Sequence, residues 1–254
     1  MEPRELAERA ERASLPPWAE RERFAGYGVM GLPFVSGHVL GMRRFPASSV
    51  GPGYTSVWHR TPAGDWTFYS DVEPLQSCNR FFGSAVETFH RTPIALEWTG
   101  PRSLHIEIGA AGLVLESRFA STPATRLMNL MGSAMPETLW RSGAVLDAMG
   151  AMAGPLLRAG KLRLRGRAPN GQAFIASPRL IWAIPEATAV LAGEELGPVG
   201  PAPQQAALGD FMIPQRGLLA FGMAFFEPFD AARHLSVASR AGSSQAAEGG
   251  PNGR

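Results

Sequence analysis

The chain has 254 residues, a length that is normal for a single β-barrel or sandwich, and 45% of them are hydrophobic, enough to build a sizeable core. Its formal net charge of +2 does not favour nucleic acid as a partner. Cys78 is the single cysteine, which excludes an internal disulfide and a cysteine-rich zinc site, so a reduced cytoplasm is the simplest location.

The first third of the chain predicts strands joined by tight turns. Aromatic and β-branched residues flank a turn that contains Pro62 and Gly64, which is typical of a hairpin. The predicted elements are a charged helix (2–13), a strand (36–45), a hairpin (54–60 and 65–71), a loop or short helix (74–85) and a strand near 86–92.

Residues 94–119 read as a meander of three short strands. Because side chains alternate between faces along a strand, the last two strands predict one hydrophobic and one polar face. The hydrophobic face collects Leu104, Ile106, Ile108, Leu113, Leu115 and Phe119. The polar face collects Ser103, His105, Glu107, Val114, Glu116 and Arg118, and we expect Leu96 and Trp98 to share it.

The period then changes to helical spacing. Residues 123–135 and 137–158 predict two helices separated by Pro136, and strands return at 161–167, 173–176, 178–184 and 217–226, with a long loop at 194–209. We therefore predict a mainly β protein: one antiparallel β-barrel or sandwich over residues 1–237, with a helical pair inserted near 123–158. Residues 238–254 predict a disordered tail.

The meander and the hairpin carry the candidate catalytic residues: Glu107, Glu116, His105, Asp71 and Arg118. If their face lines a barrel lumen, a carboxyl group beside an imidazole and a guanidinium could be tuned for proton transfer. If it faces water, they are ordinary surface charges, as on many half-exposed antiparallel strands.

The hairpin and the helices carry the candidate ligand contacts. The expected pairing puts Tyr54, Ser56, Trp58 and Arg60 on one face with Asp65, Thr67, Tyr69 and Asp71, a mixed face suited to a pocket wall. His59 falls on the other face, which is typical of a packed core histidine.

The helical pair is rich in methionine, including Met131 and Met149. Because methionine adapts to varied apolar partners, the pair could cover a lipid-like ligand, rest on a membrane surface or simply pack on the sheet. The basic run from Arg158 to Arg167 could meet an anionic group or face water.

Other motifs predict no cofactor and no metal site. Residues 26–31 match G-x-G-x-x-G, but no strand run precedes them and Pro33 prevents a helix from following, which argues against a dinucleotide site. The five histidines are scattered. Cys78 lies near Arg80 without a partner that marks a nucleophile, and Lys161, the single lysine, is the one residue a Schiff-base mechanism could use.

Two segments resemble the carotenoid 1,2-hydratase and AttH-like group: SVWHRTPAGDWTFYSD at 56–71 and IALEWTGPRSLHIEIGAAGLVLESRF at 94–119. The resemblance implies a lipocalin-related (calycin) β architecture. It also implies cofactor-free acid catalysis that hydrates, cyclises or isomerises hydrophobic polyenes or terpenoids. It carries no catalytic residue over to this chain.

Two functions follow from these patterns, both with a hydrophobic small molecule as the partner. In the first, a lumen acid (Glu107, Glu116 or Asp71) protonates the substrate, while Trp58, Tyr69, Trp98, Tyr54, Met131 and Met149 line the cavity. In the second, the barrel carries a lipid or pigment unchanged. Inward-facing acids favour the enzyme, an apolar lumen favours the carrier, and a filled barrel would be a scaffold.

Overall fold

A computed structural model describes residues 1–236, and the predicted tail at 238–254 lies outside the described residues. The helices are α1 Pro3–Ala10, α2 Asn79–Phe82, α3 Pro123–Ala134 and α4 Gly143–Leu157. The strands of the first half are β1 Glu22–Pro33, β2 Val39–Ser48, β3 Tyr54–Arg60, β4 Trp66–Ser70, β5 Thr88–Arg91, β6 Ala95–Gly100, β7 Ser103–Ile108 and β8 Leu113–Ala120. Those of the second half are β9 Arg165–Arg167, β10 Ala173–Leu191, β11 Glu194–Glu195, β12 Ala207–Leu208, β13 Phe211–Met212 and β14 Leu218–Phe226.

One strongly curled sheet dominates the protein, and its strand order is β5-β4-β3-β2-β1-β14-β10-β8-β7-β6. Neighbours along this order are antiparallel except β4 and β5, which are parallel. Tyr27 of β1 contacts Trp98 of β6 at a ring distance of 6.1 Å, although four strands separate them in the sheet. The sheet therefore bends until its halves meet, which confirms the predicted mainly β architecture with an inserted helical pair.

The concave face of this sheet is filled by side chains. Its core joins Val29 and Leu40 from one half of the sheet to Ile106 and Leu115 from the other, and all four are at most 1% exposed. The inside of the curl is thus a packed core, as the alternation of the meander predicted for Leu104, Ile106 and Ile108.

Strand β1 is absent from the sequence prediction because it reads Gly-Tyr-Gly-Val-Met-Gly, without alternation of polar and apolar residues. The G-x-G-x-x-G match lies inside this strand. A Cβ atom at Gly26 would lie 2.0 Å from the carbonyl oxygen of Arg44, and one at Gly28 would lie 2.2 Å from that of Met42. These glycines therefore permit close strand approach at a bulge between β1 and β2.

The helical insertion, residues 121–164, fills a gap beside β10. On that side of β10, pairing with β9 stops at Ile175 and pairing with β8 starts at Ala183. Asn129 of α3 closes the gap: its Nδ2–H donates to the carbonyl of Ile181 (3.0 Å), and its Oδ1 accepts from the backbone N–H of Ile181 (2.6 Å). The insertion is thereby attached through main-chain hydrogen bonds that a strand would otherwise make.

Replacement of Asn129 should test this attachment. Asn129→Ala leaves both backbone groups of Ile181, which is 7% exposed, without partners. We expect the free energy of unfolding to fall by about 2–4 kcal/mol in urea titrations. Leu130→Ala on the same helix is the matched control, because Leu130 is 66% exposed and should change the free energy by less than about 0.5 kcal/mol. Equal effects of the two substitutions would contradict this role of Asn129.

His59 is the packed core histidine that the sequence predicted. It is 4% exposed, and its Nε2 lies 2.9 Å from Nδ1 of His38, with the two rings stacked. Burial, with the nearby His38, lowers the pKa of His59 to about 4. The folded protein therefore holds His59 neutral well below the pH at which an unfolded histidine gains its proton.

The histidine pair should make stability depend on pH. Between about pH 6.5 and 4 the unfolded state binds more protons at this site, so the free energy of unfolding should fall as the pH falls, by up to about 1.4 kcal/mol per pH unit. His59→Gln should flatten this slope in urea titrations at pH 7, 6, 5 and 4.5. His90→Gln, at an exposed position on β5, is the control and should keep the wild-type slope. An unchanged slope in His59→Gln would refute the assignment.

Candidate functional site

The polar face of the meander points outward. Cross-strand pairing sets His105 opposite Glu116 and Ser103 opposite Arg118, so these residues share one face, as predicted. Glu107, Glu116 and Arg118 are exposed, and His105 is half-buried with its Nδ1 2.6 Å from Oε1 of Glu116. This bond raises the pKa of His105, with desolvation opposing it and Glu107 adding to it. The cluster exists, but on the solvent side of the sheet rather than in a lumen.

Leu96 and Trp98 do not share the polar face, so that expectation was wrong. Leu96 lies opposite Ile106, and Glu97 takes the place opposite His105. The ring of Trp98 packs on Phe119 at 5.5 Å, on the core side. The sequence prediction was one residue out of register between β6 and β7, and a shift of one residue moves every side chain of a strand to the opposite face.

The same error affected the first hairpin. The turn closes through the N–H of Thr61 and the carbonyl of Asp65, so Arg60 pairs with Trp66 and Trp58 pairs with Phe68. Tyr69 and Asp71 therefore do not lie on the face that was predicted to form the pocket wall. Tyr69 packs in the concave core, and Oδ1 of Asp71 accepts the N–H of Thr55 at 2.9 Å.

Tyr54 and Trp58 lie instead in an aromatic cluster on the outer face. Trp58 stacks on Phe68 at 4.5 Å, and the Tyr54 hydroxyl lies 3.2 Å from Sγ of Cys78. Burial raises the pKa of Cys78 to about 11, and Arg80 pairs with Glu22 rather than with the thiol. The interpretation of Cys78 as a passive residue is consistent with this geometry.

A cavity of about 140 Å³ lies between the outer face of the sheet and α4. Its floor is a patch of small residues on β1 and β14, and its roof is formed by apolar residues of the helical insertion. The floor includes Gly26, Ala220, Gly222 and Ala224, and the roof includes Met128, Met149, Ala153 and Leu157. Gly26 and Gly222 are direct neighbours across the sheet, so two adjacent strands contribute only backbone to this part of the floor.

Of the predicted ligand contacts, Met149 lines this cavity, whereas Met131, Tyr69 and Trp98 do not. Tyr54 and Trp58 line a smaller neighbouring cavity of about 50 Å³. No aspartate, glutamate or histidine of residues 1–236 lines either space. The predicted acids Glu107, Glu116 and Asp71 therefore line neither cavity, and their catalytic role stays a prediction.

Arg43 lies between the two cavities and lines both. It is 4% exposed and forms no ion pair with any carboxylate of residues 1–236. Its guanidinium lies over the ring of Trp58 at 4.6 Å, and burial lowers its pKa to about 10. Arg43 was not among the residues predicted from the sequence, although it and Arg44 are consecutive in a predicted strand, so their side chains had to lie on opposite faces of the sheet.

Residues 1–236 hold no group of three or more histidine, cysteine or acidic side chains arranged for a metal ion. Lys161 is exposed and lines neither cavity. Within residues 1–236, every helix is too short or too polar to span a lipid bilayer.

The helical insertion also carries exposed large apolar side chains: Leu127, Leu130, Leu139 and Met152. In the adjacent basic run, Arg163 pairs with Asp210 and Arg165 with Asp147, which offsets part of its charge. Contact of this side with a membrane surface stays a prediction.

Comparison with known proteins assigns no family. No family model and no curated protein matches the chain. Among solved structures, it is similar to an acetoacetate decarboxylase from Legionella pneumophila subsp. pneumophila str. Philadelphia 1, with 10% identity, a TM-score of 0.34 and 85% of each chain covered. A likeness at this level carries no argument about function.

The His105–Glu116 bond can be tested by NMR titration of the imidazole. Glu116→Gln should lower the pKa of His105, because the carboxylate that stabilises the imidazolium is removed. Glu97→Gln is the matched control: Glu97 lies opposite His105 on β6 but forms no bond with it, so the pKa should stay where it is. A titration unaffected by Glu116→Gln would show that the bond does not form in solution.

Proposed function

We propose that the protein binds a small apolar molecule in the cavity between the outer face of the sheet and α4. The observation that carries this proposal is the apolar cavity itself, where a floor of glycine and alanine faces a roof of methionine. A tightly packed protein interior rarely leaves such a space. Methionine suits the roof of a binding cavity because its flexible side chain adapts to different ligand shapes.

The size of the cavity limits the ligand. Its volume of about 140 Å³ is close to that of an engineered apolar cavity of about 150 Å³ that binds benzene. The apolar body of the ligand should therefore be about as large as one six-membered ring or a short alkyl chain. A long polyene or lipid would fit only if the helical insertion moved away from the sheet.

The chemistry of the lining favours binding without conversion. Acid catalysis needs a proton donor near the substrate, and the lining of this cavity includes no carboxyl group and no imidazole from residues 1–236. We therefore propose a carrier or sensor of a small molecule. Hydration, cyclisation or isomerisation by Glu107 or Glu116 would require a different site on the exposed face, and loss of turnover in Glu107→Gln or Glu116→Gln would be its signature.

Filling the cavity should abolish binding. Met149→Trp places a larger ring where Met149, 5% exposed, forms the roof, so the benzene-induced rise in melting temperature should disappear. Met152→Trp, on the same helix and 36% exposed, is the matched control and should keep the rise. Circular dichroism checks that both variants fold, since overpacking can cost about 1–3 kcal/mol. An equal rise in both variants would place the ligand elsewhere.

A further inference from the structure

We propose that the natural ligand is a small carboxylic acid whose carboxylate pairs with Arg43 while its apolar body fills the adjoining cavity. This inference rests on the proposed function and adds the chemical class of the ligand. It starts from a buried cation that has no anionic partner among the described residues, next to an apolar space.

The backbone accounts for only part of the hydrogen-bonding capacity of Arg43. Its Nη1 donates to the carbonyls of Val29 and Met42, and its Nη2 donates to the carbonyl of Met30 at 3.1 Å. The carbonyls of Val29 and Met30 lie at a bulge of β1, where the pairing with β2 and β14 shifts register. One role of Arg43 is therefore structural: it donates hydrogen bonds to main-chain carbonyls at and beside this bulge.

After these three hydrogen bonds, two N–H groups and the positive charge of Arg43 remain available to a ligand. A guanidinium has five N–H groups, and the Nε–H and the second Nη2–H of Arg43 have no acceptor in residues 1–236. Neutral carbonyls and the rings of Trp58 and Phe211 stabilise a cation without neutralising it. A buried charge is costly unless it is paired, so a ligand that brings one negative charge gains from this site.

The charge balance favours a carboxylate over a phosphate. Arg43 supplies one positive charge, and the other arginine in the lining, Arg163, is already paired with Asp210. A dianion would retain one uncompensated charge in this apolar space, whereas a carboxylate matches the charge and accepts two N–H groups of a guanidinium.

Ser177 provides a second, independent indication of a ligand. Its hydroxyl is buried, lines the same cavity and has no hydrogen-bond partner in the described part of the chain. Buried hydroxyl groups usually form hydrogen bonds. A hydroxyl group that has no hydrogen-bond partner and lies beside a cavity therefore indicates a partner that enters the cavity. A ligand with a second polar atom on its apolar body would satisfy it.

The test compares three probes of similar size on the full chain: benzene, benzoate and the neutral benzamide. Calorimetry at pH 7 should give an affinity for benzoate at least tenfold above that for benzamide. Arg43→Met should lower the affinity for benzoate to that for benzamide. Arg44→Met is the matched control, because the neighbouring Arg44 pairs with Glu11 on the surface, and it should keep the preference.

The outcomes separate the two proposals. If none of the three probes binds, the proposed function fails. If benzene binds but benzoate binds no more tightly than benzamide, the proposed function stands and the carboxylate inference is overturned. Should Arg43→Met not fold, NMR of the arginine Nε–H groups in the wild-type protein decides: benzoate should shift the Arg43 signal and benzamide should not, and equal shifts would refute the pairing.

Discussion

The gap beside β10 is the constraint on which the rest of the structure depends. The chain leaves the side of β10 at Ala120, the end of β8, and returns to it at Arg165, the start of β9. Between these points β10 has main-chain groups that need partners, and the helical insertion supplies them through Asn129 and through the carbonyl of Leu164, which accepts the N–H of Ala176. The position of the helices follows from this requirement, because unpaired backbone groups in a buried strand are costly.

The cavity is a consequence of where the insertion is held. Hydrogen bonds attach α3 at the level of Ile181, and Gly132 allows close approach because a Cβ there would lie 2.6 Å from the carbonyl oxygen of Arg179. The adjoining part of the sheet carries Gly26 and Gly222, which present no side chains to α4. The insertion covers this part of the sheet without filling it, and the bulge in β1 places Arg43 at the edge of the cavity.

Alternation predicted the meander, its buried face and the residues of its polar face, and helical spacing predicted the insertion, because each pattern reflects local geometry. Register was harder: the turn after Arg60 shifted the hairpin by one residue and moved Tyr69 and Asp71 to the other face. Strand β1 lacked a pattern because it is buried on both sides. Arg43 was missed because only tertiary packing distinguishes it from Arg44, which pairs with Glu11.

The central claim is that, in residues 1–236, an apolar cavity lies between the sheet and α4 while the inside of the curl is filled. A crystal structure under xenon pressure tests it most directly, since xenon occupies empty apolar cavities. Xenon should bind between Met149 and the Gly26–Gly222 patch, and none should bind among Val29, Ile106 and Leu115. Xenon within the concave core, or no xenon beneath α4, would contradict it.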